Sequence, residues 1–593
     1  MCGIVGCVGK KDGRKYIING LKTLDYRGYD SAGVAFLKQN SISIFKDAGS
    51  VEHVDSLIPK DKEGDVLIGH TRWATHGKPN MINSHPHLSF DGEFAIVHNG
   101  IVEKYSEHKN RLKEKGVAFV SDTDTEVLVN MIALYYQEEK DVLSAIRRVM
   151  KEIDGSYAVG LMHRGENRLY ILKNTSPLLI GVGEGYSLIA SDASPMIEYT
   201  NKFVELGDKE CGYVEAFDYK LFDINGKEVH RKFISKEISM VKHDLNGYDH
   251  YMIKEIEEIP SVISRLVNHY VVDDKYNFDK ELISKIKKSD HIIFLGCGTS
   301  YHSSLVGGRY FEEMLEIPTA SYIASEWAFH PMFPGKKPFI IFISQSGETA
   351  DLIHCLRIVK EHNYDTLIIT NTSGSTLERG CKYSLNVQAG VEVSVASTKA
   401  YAAQVAMLLL IVGAVKGDTS IAKEMIKALP NLDLIKNKHK DTIKQIASEI
   451  KNKESIFYIG RGYDYYLSLE ASLKLKEISY IHSEAIAGGE LKHGPIALIE
   501  NGTPVIVFIT DNITASSMRG NIEEVKSRGA HVVVISTEDL AKDSDTIVIG
   551  HYPNYLSSIV VSTAAFYLAY YTSLLKGYDV DKPRNLAKSV TVE

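Results

Sequence analysis

Long hydrophobic runs, clustered cysteines and an excess of positive charge are all missing from this 593-residue sequence. The candidate span Ile559–Leu575 is interrupted by Ser, Thr and Tyr and falls short of the ~18 apolar residues a membrane crossing needs. It reads as a buried helix, and no membrane partner is expected. The opening MCGIVGCVGKKDGRKY has no apolar core of signal-peptide length. Six cysteines (Cys2, Cys7, Cys211, Cys297, Cys355 and Cys381) lie far apart, with no CxxC pair and no dense disulfide spacing. Reduced thiols in a cytoplasmic protein are expected. A net charge of -8 argues against a nucleic-acid partner, which usually calls for a basic domain. There is no GxxxxGK[ST] loop and no SGGxDS-type loop, which disfavours ATP-driven amidation. GCGTSY lacks the third glycine of a dinucleotide fingerprint. No cofactor or metal is predicted.

What is present is ordinary globular composition, 44% apolar and 24% charged. At ~150 residues per domain the length predicts three or four units. Up to about residue 230, short apolar runs (Ser41–Phe45, Val66–Gly69, Glu93–Val97, Arg168–Leu172, Gly212–Phe222) are separated by turns, with helical pattern at Thr125–Gln137 and Leu143–Ile153. Asn225-Gly226 marks a hairpin. Mostly antiparallel sheet with helices packed on it is predicted. From Ile234 to Pro260 charges crowd together, which reads as a linker. Beyond it, strands and helices alternate, as in a parallel sheet with crossover helices. That rhythm repeats: HIIFLGCGTS and SIFYIGRGYD place Gly296 and Gly460 at an offset of 164 residues, and a second block places Ile343 and Ile509 at 166. Two copies of one domain stand in tandem.

Cys2 can be a small buried apolar residue, but its position offers more. With Met1 removed, the thiol shares a residue with an α-amine of pKa roughly 7.7–8.0, which can take the thiol proton. Attack on an amide makes an oxyanion that needs fixed donors, and Asn99 and Gly100 could supply them or form a plain Asn-Gly turn. Arg72 and Asp124 are the right types for the carboxylate and ammonium of a free amino acid; alternatively they are a surface arginine and a helix cap. The segments MCGIVG, YRGYDSAG, HTRWATHG, HNG and SDTDTEV resemble the glutaminase domain of amidotransferases with an N-terminal cysteine. That resemblance implies an αββα sandwich in which Cys2 attacks glutamine and Asn99 and Gly100 form the oxyanion hole. It places Arg72, Trp73, Thr75, His76 and Asp124 around the substrate. One departure is Ile101-Val102-Glu103-Lys104, where the family usually reads I-x-E-N.

The remaining two thirds must hold the nitrogen acceptor. Ser344-Gln345-Ser346-Gly347-Glu348-Thr349 follows a strand and opens a helix. Hydroxyls and backbone N–H groups there could cradle a phosphate, or the residues could form a capping box. Thr299-Ser300 also follows a strand. The second copy reads Thr510-Asp511-Asn512-Ile513-Thr514, where Asp511 would repel phosphate, so one site per chain is expected. Glu470, Lys474 and Glu477 share one helical face, either as an exposed salt-bridged stripe or as the source of a proton-moving carboxylate.

CGTSY, SQSGET, ASTKA, LKLKEISYIH, GELKHGP and the tail DKPRNLAKSVTVE resemble, block by block, the isomerase part of the glutamine–fructose-6-phosphate aminotransferases. The resemblance implies two doubly wound parallel-sheet SIS domains. It implies sugar-phosphate binding by Thr299, Ser300, Ser344, Gln345, Ser346 and Thr349, with Val395, Ser397 and Ala587 lining the site. Lys588 would form a Schiff base and Glu477 move the proton, supported by Glu470 and Lys474. His493, from a neighbouring chain of a homodimer, would open the sugar ring, and Trp73 would gate an internal ammonia channel. An arginine common after the aromatic residue of Ala324–Ala328 is absent here. The expected domains are 1–230 (glutaminase), 231–275 (linker), 276–425 and 426–580 (the two SIS domains) and 581–593 (catalytic tail). Two rivals are another glutamine-dependent amidotransferase and a non-catalytic sugar-phosphate sensor.

Overall fold

The computed structural model describes residues 2–25, 28–73, 76–235 and 245–590. Thr75 lies outside the described residues. The chain divides into two compact units, residues 1–242 with 589–593, and residues 243–588.

In the first unit, strand Gly3–Val8 is apolar on both faces, and period-2 alternation sends successive side chains to opposite sides. Val5 and Cys7 pack against Ile17 and Leu21 of helix Gly13–Leu24, while Ile4 and Val8 join a different core. The strand pairs antiparallel with Val66–Arg72 and Ser187–Ala190 in an eight-stranded sheet. A seven-stranded sheet contains the antiparallel pair Phe94–Val102 and Gly155–His163. Ile4, Ile68 and Ile189 of one sheet meet Val97, Ala158 and Ile171 of the other. Helices Asp124–Glu139 and Val142–Glu152 bury Val127, Met131, Ile146 and Val149 on the far face of the second sheet. The layers are therefore helix, sheet, sheet, helix, the sandwich that the resemblance implies. The hairpin expected at Asn225-Gly226 joins Tyr219–Asp223 to Glu228–Val229.

The second unit carries two five-stranded parallel sheets. In space the first runs Thr319–Ile323, His291–Gly296, Pro338–Ser344, Asp365–Thr370, Tyr383–Asn386, and the second His482–Ala487, Ser455–Gly460, Pro504–Ile509, His531–Thr537, Ile547–Ile549. Numbered by sequence, both orders are 2-1-3-4-5, so the repeat read from two short blocks extends to the whole topology. Gly298 and Gly462, which open the helix after each first strand, share nearly the same backbone angles (φ 52°, ψ -127° and φ 57°, ψ -127°). In such a sheet, ligands bind beyond the carboxyl ends where the strand order reverses, between the first and third strands.

Helices Lys399–Lys416 and Ser557–Leu575 are long and apolar enough to cross a membrane, yet both are enclosed in the protein core. The stretch Ile559–Leu575 is thus a buried helix, as expected. The charged segment expected to be a linker is not one throughout. Residues 251–270 form a helix whose Met252, Ile256, Ile259, Ile263 and Leu266 are fully or almost fully buried in the core of the second unit. In a short window its charges outweigh the apolar residues that recur every three or four positions.

Candidate active sites

In the first unit the antiparallel register pairs Gly3 with Thr71, which brings Cys2 to the end of strand Val66–Arg72. The Trp73 N–H donates to Cys2 Sγ at 3.3 Å, and the thiol lies 3.6 Å from the Trp73 carbonyl. Burial pushes the Cys2 thiol above its ordinary value; the Trp73 N–H and the Arg72 charge oppose the rise and Asp124 adds to it. A thiol in this state needs a base before it can act as a nucleophile.

Asn99 and Gly100 do not form a turn. They lie inside strand Phe94–Val102, opposite Ala158 and Tyr157. Gly100 takes a φ of +125°, and a Cβ there would sit 1.8 Å from the Ser156 carbonyl oxygen, so only glycine fits. The Asn99 side chain donates from Nδ2 to the Cys2 carbonyl at 3.0 Å. Its Oδ1 lies 3.0 Å from His70 Nε2, which is also 3.0 Å from the His98 carbonyl. Two acceptors at one nitrogen make Nε2 the protonated one, and burial lowers the His70 pKa to about 3, so the ring is neutral.

Arg72 is not a surface residue; it is 3% exposed. Its Nη2 donates to the carbonyls of His76 and Gly77, while Nη1 is buried with no hydrogen-bond partner. A buried unpaired guanidinium nitrogen suits an anionic ligand. Asp124 is not the helix cap either. Thr123 caps the helix through Glu126 N–H, and Asp124 Oδ2 accepts from Val102 N–H at 2.9 Å. His76 packs edge-on to Tyr105.

In the second unit the two hydroxyl-bearing loops follow adjacent strands, His291–Gly296 and Pro338–Ser344. The capping box is not formed. Thr349 precedes helix Ala350–Glu361 with no side-chain cap bond, and Glu348 turns away to accept from Thr376 N–H at 2.8 Å. Ser344 Oγ meets Thr349 Oγ1 at 2.9 Å and accepts from Gly347 N–H at 3.0 Å, closing a tight loop. Gly347 (φ +67°) is required, because a Cβ would fall 2.0 Å from Ser375 Oγ. At the matching loop of the second repeat, Asp511 accepts from Ile513 N–H and so caps helix Asn512–Lys526 with its own carboxylate.

Glu470, Lys474 and Glu477 lie on helix Tyr463–Ser479 of the second repeat and face inward. Glu470 and Lys474 are 0% and 1% exposed, which overturns the exposed-stripe alternative. Thr299 Oγ1 donates to Glu470 Oε1 at 3.0 Å and accepts from Lys474 Nζ at 3.1 Å, so the two repeats meet at the first repeat's ligand loop. Lys474 also pairs with Glu477 at 2.5 Å. Burial pushes the Glu477 carboxyl above its ordinary value, with Lys474 opposing. Ser300 Oγ accepts from Gln404 Nε2 at 3.1 Å.

Residues 581–588 are tied down at both ends. Asp581 accepts from the N–H groups of Tyr251 and Met252, both at 2.8 Å, and its carbonyl accepts from Val395 N–H. Lys588 Nζ donates to Glu392 Oε2 at 2.6 Å and to the Ser394 carbonyl at 2.8 Å. Glu392 is fully buried and also accepts from Ser397 Oγ and the N–H groups of Thr398 and Ala400. Burial alone would raise its pKa, but Lys588 and those donors bring it down to about 2. Val395, Ser397, Ala587 and Lys588 thus gather at one loop. His493, on the short helix Glu490–His493, is exposed on its own chain.

The family model described as "Glutamine amidotransferase domain" matches residues 70–198, and that described as "SIS domain" matches 285–414 and 449–572. A protein of Geobacillus kaustophilus (strain HTA426) named glutamine–fructose-6-phosphate aminotransferase [isomerizing] is 43% identical over 602 residues, covering both chains completely. The Listeria monocytogenes serovar 1/2a protein of the same name is 43% identical with the same full coverage. The chain belongs to the glutamine–fructose-6-phosphate aminotransferase [isomerizing] family. The solved C-terminal domain of glucosamine-fructose-6-phosphate aminotransferase from Francisella tularensis matches with a TM-score of 0.54 and 32% identity, over 57% of this chain and 99% of that one.

Two residues of these sites escaped the sequence reading. His70 was passed over inside HTRWATHG because a histidine at the end of an apolar strand carries no chemical signal of its own. Glu392 follows Val391 in an apolar segment, and only the fold reveals the lysine it faces. A lone acidic residue before ASTKA was the available hint.

Proposed function

We propose that this chain takes the amide nitrogen of glutamine and places it on fructose 6-phosphate, converting the ketose to an aldose and releasing glucosamine 6-phosphate and glutamate. The observation that carries this reading is the meeting of Thr299, Glu470, Lys474 and Glu477 where two sugar-phosphate-type repeats join. Membership of the family supports the same conclusion.

Cys2 attacks the glutamine amide, with the α-amine left by Met1 removal taking the thiol proton. Asn99 Nδ2 and the Gly100 N–H stabilise the oxyanion. Arg72 holds the carboxylate, Asp124 the ammonium, and Trp73 and His76 complete the pocket. The ammonia is passed to the second site without release to water, with Trp73 as its gate, because protonation in water would end its nucleophilicity. Ser344, Gln345, Ser346 and Thr349, with Thr299 and Ser300, take the phosphate and sugar, and Val395, Ser397 and Ala587 line the site. Lys588 forms an imine with the C2 ketone, which ammonia displaces. Glu477 then removes a proton from C1 and returns it to C2, with Glu470 and Lys474 fixing its geometry. His493 of a second copy opens the ring, so the working unit is a homodimer in the cytoplasm.

Incubation with glutamine and fructose 6-phosphate, followed by mass spectrometry, tests the reading. Glutamate and glucosamine 6-phosphate in equal amounts are expected. Glutamate without amino sugar would assign the chain to another glutamine-dependent reaction, and neither product would make it a sensor.

A further inference from the structure

Helix Tyr251–Tyr270 joins the isomerase site at two points. At its N-terminus the Tyr251 and Met252 N–H groups hold the Asp581 carboxylate, where the tail begins. One turn later Glu255, 2% exposed, accepts with Oε1 from the N–H groups of Val393 and Ser394. Its Oε2 is buried with no hydrogen-bond partner. The loop that Glu255 grips is the one that faces Lys588, through the Glu392 carboxylate at 2.6 Å and the Ser394 carbonyl at 2.8 Å.

We propose that Glu255 is a positioning residue for the Schiff-base lysine, fixing the 392–394 loop so that Glu392 and the Ser394 carbonyl meet Lys588 Nζ. This rests on the assignment of Lys588 made under Proposed function. The chemistry needs a group that lends and returns one proton. Lys588 ammonium passes a proton to Glu392, and the freed lone pair forms the N–C2 bond as the carbonyl electrons move to oxygen. Protons then return to that oxygen, the C–O bond breaks and water leaves. Ammonium plus ketone gives iminium plus water, with no net change in protons.

Burial, reinforced by the neighbouring Glu392 charge, raises the Glu255 carboxyl to about 8, while Lys588 and Lys399 oppose the rise. Lys399 is itself paired with Glu258 at 2.6 Å on the same helix. At neutral pH Lys588 therefore faces one carboxylate charge rather than two. Ionisation of Glu255 adds the second charge beside the gripped loop, which changes the rate of attack.

The test measures the rate of borohydride-trapped fructose 6-phosphate adduct on the full chain between about pH 6.5 and 9.5, with the modified lysine located by peptide mass mapping. The wild type is expected to show an inflection near pH 8. Glu255→Gln keeps an acceptor for Val393 N–H but cannot titrate, and is expected to lose that inflection. Glu255→Ala, without the grip on the loop, is expected to trap adduct about tenfold more slowly or worse. Adduct at Lys588 with the Glu255→Gln profile unchanged would overturn this inference alone. Wild-type adduct at another lysine would overturn the Schiff-base assignment and this inference with it.

Discussion

His70 holds Asn99 by its side-chain oxygen, Nε2 to Oδ1 at 3.0 Å, and that single contact turns the amide nitrogen toward Cys2. Without it the amide could rotate and present an acceptor at the proposed oxyanion position. His70→Phe keeps the ring and removes the donor. Glutamine hydrolysis should fall in kcat by up to the ~10²–10³ that loss of one oxyanion donor costs, with KM little changed. Steady-state kinetics check this, and sugar isomerisation in the same protein should be untouched.

Lys588→Arg retains a cation for the buried Glu392 but cannot form an imine. The borohydride-trapped adduct should disappear while glutamine hydrolysis persists. Intact-mass measurement after reduction is the check.

Glu477→Gln removes the carboxylate proposed to move the proton while preserving its volume. Isomerisation should fall by roughly 10²–10⁴, the usual worth of a positioned acid–base group. Lys588 should still form its adduct, since imine formation precedes the proton shift. Exchange of the C1 hydrogen with deuterated solvent reports the lost step.

The glutaminase unit should lose stability in mild acid. Burial lowers the pKa of His70 to about 3 and holds those of His85, His87 and His98 below the ordinary 6.5. As pH falls below 6.5 the unfolded chain binds protons that the folded one refuses, so stability is present above that value and declines beneath it. Each such histidine costs up to about 1.4 kcal/mol per pH unit until its folded pKa is reached. Glutamine hydrolysis, assayed at pH 7.5 after heating, should be lost faster when the heating is done at about pH 5.5 than at 7.5.

Much of the fold could be read from residue order because its signals are local. Short apolar runs such as Val66–Gly69 marked strands, and the repeated strand–turn blocks around Gly296 and Gly460 announced two copies. The helix Tyr251–Tyr270 was misjudged because its charges dominate a short window while its apolar face emerges only over five turns. At the sites, Arg72 and Lys474 were ambiguous for one reason: a charged side chain looks the same in sequence whether buried or solvated. Only long-range contacts, such as Thr299 to Glu470 and Glu392 to Lys588, reveal which it is.

The measurement that bears most directly on the account is isotope tracing of nitrogen. The protein would be given fructose 6-phosphate and glutamine labelled with ¹⁵N at the amide, in an excess of unlabelled ammonium. Glucosamine 6-phosphate carrying ¹⁵N throughout is predicted, since the proposed transfer passes ammonia from Cys2 to Lys588 without mixing with solvent. Product bearing the unlabelled nitrogen of the medium would contradict it.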